Sequence, residues 1–362
     1  MKSRNARLFD IIGEKTGAVV IVNGHDTHVD HNFRYFVGAN SGVFEGSALI
    51  VGKRKLSVIT SPLESSALDG LDMDVTVAKG AGEFRSLLKE KLSGFDSIGL
   101  NFPALTYEGY RTVRKNFKGK VIDCSEAIAQ CRAVKDEQEL KRLSVSCRIA
   151  SKVAAGIPDM LKEGMTERAL SSEISVALYE EGSESPSFPP IVSFGRTSAI
   201  PHYSPGGVKL RKGNFVLADF GGTYQRYCSD ITRTFLFGKA SARQKDLYGT
   251  VLEAQKSALS VLKAGVTGKQ ADAAARKVID ASAFRGKFIH SLGHGLGLQV
   301  HDGLPILWPK GNDKLEQGMV VTVEPGAYVP GFGGVRIEDD VVITRNGVKV
   351  LTDAPKELIE CR

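Results

Sequence analysis

Three of the chain's seven histidines lie in one short run, HSLGHGLGLQVHD at residues 290–302. Glycines separate them, and glycine lets a backbone approach closely and adopt unusual dihedral angles. His294 has a glycine on each side, which makes it the candidate imidazole ligand of a metal ion. We expect His290 and His301 to line the same pocket, where an imidazole can stabilise a developing oxyanion.

A pair of aspartates marks one segment of alternating apolar sequence, FVLADFGGTYQRYCSDITRTFLF. Asp219 and Asp230 lie on either side of a Gly-Gly-containing turn. An antiparallel pairing centred near residues 224 and 225 would place the two aspartates directly opposite each other. Opposed residues on one face of a sheet have Cβ atoms about 4.5–5.5 Å apart. The segment therefore predicts a β-hairpin that presents two carboxylates together.

A pair of glutamates marks a second segment of the same kind, MVVTVEPGAYVPGFGGVRIEDDVVIT. Glu324 and Glu338 flank the stretch GAYVPGFGG, and a pairing centred at Gly331 would oppose them as well. Two hairpins, each carrying one acid pair, indicate a half-domain that is used twice.

Four acids held among apolar strand residues need positive charge nearby, because burying unpaired carboxylates costs several kcal/mol each. Two divalent cations would neutralise four negative charges. An oxygen-rich donor set with one imidazole suits Mn²⁺ or Co²⁺, with Fe²⁺ or Zn²⁺ as alternatives. Metal pairs that catalyse hydrolysis lie roughly 3.5–4 Å apart, a distance that bridging carboxylates can maintain. Taken singly, each residue has a plainer interpretation, a hydrogen-bonded core histidine or an acid on a solvated face.

The elements that must position these residues follow from the apolar patterning. A chain of 362 residues exceeds one ordinary core, so two domains are expected. Residues 1–127 alternate short apolar strands (GAVVIVNG, GSALIVG, LSVITSP, DSIGLN, KVIDC) with helical stretches such as EFRSLLKEKL, the pattern of an α/β domain. Residues 128–362 begin with a long helical period and contain both hairpins. Capping-box pairs, Asp136 with Glu139 and Ser241 with Gln244, predict the starts of two helices.

Composition excludes several classes of protein. The 48 basic and 41 acidic residues are interspersed, so the net charge of +7 indicates no nucleic-acid partner. No apolar run reaches the roughly 18 residues that a membrane span needs, and the first residues do not resemble a secretory signal. Five cysteines without a CxxC pair argue against a disulfide framework and a thiolate zinc site, which favours a reducing cytoplasm.

The acids and the histidine occur in an order and in sequence contexts that resemble a known family. The order is Asp219, Asp230, His294, Glu324 and Glu338, in the contexts LADFGG, SDITRTF, GHGLG, TVEPG and RIEDDV. This set resembles the metallopeptidases with the pita-bread fold, and among them the Xaa-Pro dipeptidases (prolidases) and aminopeptidase P. NFRYFVGAN at residues 32–40 and SALIVG at residues 47–52 are similar to a creatinase-like N-terminal domain. The resemblance implies a smaller creatinase-like α/β domain followed by a pita-bread catalytic domain with pseudo-twofold hairpins.

The resemblance also implies how the two cations would be held. Asp219 would chelate one metal ion, while Asp230 and Glu338 would bridge both. His294 and Glu324 would complete the second metal site.

Further roles around the cations follow from the same resemblance. Glu324 is the candidate for moving the proton to the leaving nitrogen. His202, in SAIPHYSP, matches a histidine that faces the substrate, and His301 matches one that stabilises the tetrahedral intermediate. Arg336 matches an arginine that orients a bridging carboxylate, as groups behind the ligands commonly do.

The predicted activity is hydrolysis of Xaa-Pro peptide bonds, principally in dipeptides, by a metal-bridging hydroxide in a homodimeric enzyme. Two alternatives stay open: aminopeptidase P activity on longer peptides, and a non-peptidase binding protein on the same fold. The run HDGLPILWPK departs from the prolidase pattern, because Pro305 stands where an arginine often helps to hold the substrate carboxylate. Lys310 or Arg196 would have to replace it.

Overall fold

The computed structural model describes residues 3–25, 28–39 and 41–362, and its chain divides into two compact units, residues 1–132 and 133–362. The boundary predicted between residues 127 and 128 falls inside a helix, Ser125–Ala133. Asn40, which ends the stretch NFRYFVGAN, lies outside the described residues.

The first unit is built on a six-stranded mixed sheet. Its strands are β1 (Ala18–Val22), β2 (Ala48–Gly52), β3 (Leu56–Thr60), β4 (Asp74–Val77), β5 (Ser97–Leu100) and β6 (Lys120–Asp123), in the order β4-β3-β2-β1-β5-β6. The apolar strand β1 is buried along its whole length, as expected for a central strand covered on both faces. All five strands predicted here are present. β4 was missed because its four residues, DVTV, are short and only half-buried.

Helices accompany this sheet along the chain. They are α1 (Arg4–Ile12), α2 (His31–Val37), α3 (Ala81–Leu92), α4 (Tyr107–Asn116) and α5 (Ser125–Ala133). Leu88 and Leu92 of α3, together with Val113 of α4, are buried in the core that includes the β1 and β5 side chains. The alternation of strand and helix predicted for this region is confirmed.

The second unit contains two helix pairs. They are α6 (Glu137–Met160) with α7 (Glu167–Glu180), and α8 (Ala242–Val261) with α9 (Gly268–Asp280). Asp136 and Glu139 form a complete capping box at the start of α6, and Ser241 and Gln244 form one at the start of α8. Both predicted helix starts are therefore confirmed.

The strands of this unit form several small sheets. They are β7 (Ile191–Phe194), β8 (Asn214–Phe220), β9 (Thr223–Tyr224), β10 (Tyr227–Cys228), β11 (Ile231–Phe237), β12 (Gly293–His294), β13 (Ile306–Leu307), β14 (Val320–Val323), β15 (Gly326–Val329), β16 (Gly333–Arg336), β17 (Asp339–Ile343), β18 (Val348–Val350) and β19 (Glu360–Cys361). One sheet has the order β19-β11-β8-β7, a second has the order β14-β17-β18, and β15 pairs with β16. Each half of the unit thus combines one helix pair with one long hairpin.

The first long hairpin, β8 with β11, has a different register from the predicted one. Asp219 lies opposite Thr232, so the prediction that it lies directly opposite Asp230 was wrong. The turn is formed by Gln225 and Arg226, both at positive φ, which moves the centre of the pairing one residue later. A one-residue move of the centre shifts the register by two residues. Because side chains alternate with period two, both aspartates still face the same side of the sheet.

The second long hairpin has the predicted centre. Gly326 pairs with Arg336 and Val323 pairs with Asp339, and both pairs are symmetric about Gly331. Glu324 and Glu338 fall at the break between the two ladders. Their backbone N–H groups donate elsewhere, that of Glu324 to the Leu292 carbonyl at 2.8 Å and that of Glu338 to the Thr232 carbonyl at 3.1 Å.

Apolar packing encloses this arrangement. Side chains of α8, α9, β14 and β17 form one core, and side chains of α6, α7, β8 and β11 form another. Every residue of β11 is buried, and so are six of the seven residues of β8. In the part of the chain that the structure describes, no helix is long and apolar enough to cross a membrane.

Candidate metal centre

The predicted ligands lie at strand ends and strand breaks of the second unit. Asp219 lies in β8, and Asp230 immediately precedes β11. Glu324 and Glu338 occupy the break in the second hairpin, and His294 ends β12. Asp219 is 8% exposed, Asp230 4% and Glu338 1%, so the centre lies inside the protein and not on a solvated face.

Three of these side chains converge tightly. One ligand atom from each of Asp230, His294 and Glu338 lies within 4.8 Å of the other two. Nε2 of His294 is 3.4 Å from Oε1 of Glu324 and 3.7 Å from Oδ2 of Asp230. The structure therefore brings one imidazole and three carboxylates to a single point, with Asp219 on the same face of the first hairpin as Asp230.

Burial and mutual repulsion govern the charge of the acids. Burial, together with the charges of Glu338 and Asp219, raises the pKa of Asp230 well above its usual range. Burial and the charges of Glu324 and Asp219 do the same to the pKa of Glu338. The pKa of Glu324 rises to about 8, mainly through burial. Without a cation, the cluster thus tends to hold protons, and a cation would displace them.

The histidines have the opposite tendency. Burial lowers the pKa of His294 to about 4, and that of His290 likewise to about 4. Burial also lowers the pKa of His301. The imidazole of His294 is therefore neutral at physiological pH, which is the form that can coordinate a metal ion.

Two carboxylate oxygens indicate that the centre suits a cation. Among the described residues, Oδ1 of Asp219 and Oδ1 of Asp230 are buried and have no hydrogen-bond partner. Buried polar atoms are normally satisfied, and an unpaired carboxylate oxygen is costly in a dry site. Divalent cations accept carboxylate and imidazole ligands, so the residues present fit such ions.

Arg336 connects the two hairpins behind the acids. It is 3% exposed, and its Nη2 donates to Oδ2 of Asp219. Its Nε donates to Oγ1 of Thr232 at 3.0 Å, and Thr232 in turn donates to Oε2 of Glu338 at 2.6 Å. Arg336 therefore contacts Asp219 directly and reaches Glu338 only through the threonine hydroxyl.

Tyr328 is a site residue that sequence reasoning missed. Its hydroxyl accepts a hydrogen bond from Nη1 of Arg336 at 2.7 Å and lies 2.9 Å from Nε2 of His290. Nδ1 of His290 is 2.8 Å from the Ser291 carbonyl, so His290 is held at both ring nitrogens. A sequence signal for Tyr328 did exist: because side chains alternate with period two along a strand, Tyr328 is expected on the same face as Glu324, four positions earlier.

His301 and His202 lie at the more open side of the centre. The ring centroid of His301 is 4.2 Å from that of His294. His202 is exposed, and its charge contributes to lowering the pKa of both His290 and His301, which places it near them. Arg196 and Lys310, the candidates for holding a substrate carboxylate, are both exposed.

A fifth acid was also missed. Asp340 is fully buried, and its Oδ2 accepts the Asp230 backbone N–H at 2.9 Å and the Cys147 thiol at 3.2 Å. Burial raises the pKa of Asp340 to about 8. It directly follows Asp339 in the run RIEDDV, so its sequence context gave no separate signal.

Comparison with known protein families gives matches over both parts of the chain. Residues 141–345 match metallopeptidase family M24, and residues 4–134 match the creatinase/prolidase N-terminal domain. The chain is 36% identical over 332 residues to the Xaa-Pro dipeptidase of Pyrococcus horikoshii, a match that covers 90% of this chain and 91% of that protein.

Solved structures extend the likeness to the whole chain. The Xaa-Pro dipeptidase from Bacillus anthracis has a TM-score of 0.90 at 33% identity, covering 98% of both chains. An X-Pro aminopeptidase from Thermotoga maritima has a TM-score of 0.90 at 32% identity, covering 99% of both chains. The chain belongs to metallopeptidase family M24, with a creatinase-like N-terminal domain followed by a pita-bread domain.

Proposed function

We propose that this chain is a metallo-exopeptidase that hydrolyses the peptide bond of Xaa-Pro dipeptides with two divalent cations. The convergence of Asp230, His294 and Glu338 ligand atoms within 4.8 Å in a buried acidic cluster carries the proposal. Similarity to Xaa-Pro dipeptidases over nine-tenths of the chain supports the substrate class.

Five residues would hold the cations. Asp219, Asp230, His294, Glu324 and Glu338 would supply four carboxylates and one imidazole as the ligands. The unpartnered oxygens of the two aspartates, found among the described residues, support their assignment as ligands. When bound, the cations polarise the scissile carbonyl and lower the pKa of water so that it is a nucleophile near neutral pH. Manganese or cobalt suits this oxygen-rich set, with iron or zinc as alternatives.

The remaining residues would act on the substrate. Glu324 would carry a proton to the leaving nitrogen, a task that suits a carboxylate held beside the reacting bond. His301 would donate to the oxygen that becomes negative in the transition state. His202 would face the bound peptide, His290 would line the pocket through its contact with Tyr328, and Arg336 would hold the carboxylates in place.

Aminopeptidase P activity on longer peptides is the second candidate, because the Thermotoga maritima X-Pro aminopeptidase matches this chain as well as the dipeptidase does. Pro305 occupies the position where prolidases often carry an arginine for the substrate carboxylate, which also favours this candidate. Membership of a metallopeptidase family weighs against the third alternative, a non-peptidase binding protein on the same fold.

Purified enzyme, reconstituted with Mn²⁺, would be assayed on Met-Pro, on Met-Pro-Ala and on Met-Ala. Turnover of Met-Pro with little of the other two is the expected result. Turnover of the tripeptide alone would establish the aminopeptidase instead, and absence of turnover with two bound cations would favour the binding protein. Asp230→Asn should abolish turnover and lower the metal content measured by elemental analysis. The exposed Asp246→Asn on α8 is its matched control.

We also propose a cytoplasmic enzyme. The five cysteines are all buried and their sequence includes no CxxC pair, as expected for a protein of a reducing compartment. The homodimer stays a prediction from the family resemblance.

A further inference from the structure

We infer that Glu167 is a positioning residue: its carboxylate ties together the two ends of the loop that carries His202. This closure of the loop fixes the position of His202 relative to the substrate. This inference rests on the proposed function for its catalytic consequence. Its structural content concerns residues 195–206, the segment that leads from β7 toward β8.

One buried carboxylate joins both ends of this loop. Oε1 of Glu167 accepts the Phe194 backbone N–H at 2.9 Å and the Thr197 hydroxyl at 2.5 Å, at the start of the loop. Oε2 accepts the Tyr203 hydroxyl at 2.9 Å and the Gly206 backbone N–H at 3.1 Å, at its end. Glu167 itself is 0% exposed. Four donors on one carboxylate hold the two ends of the loop a fixed distance apart.

The backbone around Glu167 reinforces this closure. Its own N–H donates to the Val208 carbonyl at 3.1 Å, and the Arg168 N–H donates to the Gly206 carbonyl at 3.1 Å. The end of the loop is therefore attached to the first turn of α7. Thr166, the N-cap of α7, accepts the Ala169 N–H and fixes that turn.

Donors from the loop match the carboxylate. Burial and the hydrogen bond to Glu167 raise the pKa of Tyr203, which keeps its hydroxyl protonated as a donor. A Cβ at Gly206 would lie 3.1 Å from the Tyr203 hydroxyl, which is a tight contact, so the glycine leaves room for that hydroxyl beside the backbone.

The loop is also attached on the side of the metal centre. Oγ of Ser198 accepts the Gly334 N–H at 2.8 Å, and Gly334 lies in β16, the strand that ends at Arg336. In sequence, His202 thus lies between two anchored residues, Ser198, which contacts β16, and Tyr203, which contacts the carboxylate of Glu167. A shift of about 1 Å at a substrate-facing group can cost about 100-fold in rate, so the closure matters for catalysis.

Glu167→Gln is the first test, since a glutamine keeps the shape but offers one acceptor oxygen and presents N–H groups to the remaining donors. We expect kcat/KM for Met-Pro to fall about 10- to 100-fold with two cations still bound. Tyr203→Phe removes one donor and should lower kcat/KM about three- to tenfold. Glu173→Gln, at an exposed position of the same helix, should match the wild type.

A double variant separates positioning from general destabilisation. If Glu167 acts through His202, Glu167→Gln should cost little further activity in a His202→Ala background. Full additivity of the two losses, or wild-type kinetics in both Glu167→Gln and Tyr203→Phe, would overturn the inference.

Limited proteolysis tests the same idea without any peptidase assay. Trypsin can cut after the exposed Arg196 within the loop, and cleavage after the exposed Arg345 in the same unit serves as an internal reference. Glu167→Gln should raise the Arg196 rate about tenfold relative to Arg345, while Glu173→Gln should not. Unchanged relative cleavage would refute the loop closure. Faster relative cleavage in Glu167→Gln, combined with a wild type that fails to hydrolyse Xaa-Pro bonds, would leave the closure intact and contradict the proposed function alone.

Discussion

The hydroxyl of Thr232 joins Arg336 to Glu338. It donates to Oε2 of Glu338 at 2.6 Å and accepts from Nε of Arg336 at 3.0 Å. Thr232 also lies opposite Asp219 in the first hairpin. One residue of the first hairpin therefore contacts two residues of the second, Glu338 and Arg336. The orientation of Glu338, a proposed metal ligand, therefore depends on a residue that is not itself a proposed ligand.

Replacing Thr232 should weaken metal binding. Thr232→Val keeps the volume and removes the hydroxyl, which leaves Oε2 of Glu338 without its donor. Loss of such a supporting hydrogen bond commonly costs about 10- to 100-fold in metal affinity. The measurement is titration of the metal-free protein with Mn²⁺ by calorimetry. Thr232→Ser retains the hydroxyl and should bind within about threefold of the wild type, and equal affinity in the valine variant would contradict the role.

Arg336→Lys should reduce activity despite keeping the charge. The guanidinium donates to Asp219, Thr232 and Tyr328 at once, and a lysine ammonium cannot span three acceptors in this fork geometry. We expect kcat to fall about 100-fold while the fold survives. Steady-state kinetics and circular dichroism provide the readouts. Arg345→Lys, at an exposed turn, is the control and should leave both unchanged.

His301→Ala should lower kcat about 100-fold and change KM little. The proposed contact of His301 forms with charge that develops only in the transition state, so its loss does not weaken ground-state binding. Because its ring centroid lies 4.2 Å from that of His294, with the two rings tilted by 44°, metal content must be measured in parallel. A rise in KM alone would make His301 a ground-state binding residue.

The metal-free protein should lose stability as the pH rises from about 6.5 to 8. The pKa of Glu324 rises from 4.5 to about 8 and that of Asp340 from 3.8 to about 8 on folding. In this window the folded state holds protons that the unfolded chain has released. Each of the two carboxyl groups therefore lowers the free energy of unfolding by about 1.4 kcal/mol for each pH unit.

The histidines do not cancel this slope. Folding lowers the pKa of His290 and His294 from 6.5 to about 4, so their opposite contribution is already fading at pH 6.5 and is nearly complete by about pH 7.5. Urea unfolding of the metal-free protein at pH 6.5, 7.25 and 8 measures the effect. Glu324→Gln should reduce the slope, and a flat profile in the wild type would contradict the prediction.

Arg233→Met should destabilise the second unit. Arg233 is 1% exposed, pairs with Asp339 at 2.7 Å, and donates to the Glu338 carbonyl at 2.5 Å and the Ala354 carbonyl at 2.9 Å. Removing one partner of a buried ion pair costs about 3–5 kcal/mol. Chemical denaturation with and without metal measures the loss. The exposed Arg345→Met should change the free energy of unfolding by no more than about 0.5 kcal/mol.

Much of the fold could be predicted from local patterns. Strands such as β1, and the capping boxes at Asp136 and Ser241, depend on neighbouring residues alone, so their positions can be inferred without tertiary information. The centre of the second hairpin at Gly331 was predictable for the same reason. The first hairpin was not, because its turn uses Gln225 and Arg226 at positive φ, conformations that neither residue type indicates.

The amino-acid sequence by itself determined which side chains are available for the proposed chemistry: the four acids, the glycine-flanked His294 and the alternation that points them inward. Tertiary structure decided what supports them. Tyr328 reaches His290, Thr232 reaches Glu338 across 106 positions of chain, and Glu167 closes the His202 loop. Residue types and periodicity are local properties, whereas such contacts depend on how distant elements pack, and packing is fixed only when the whole core forms.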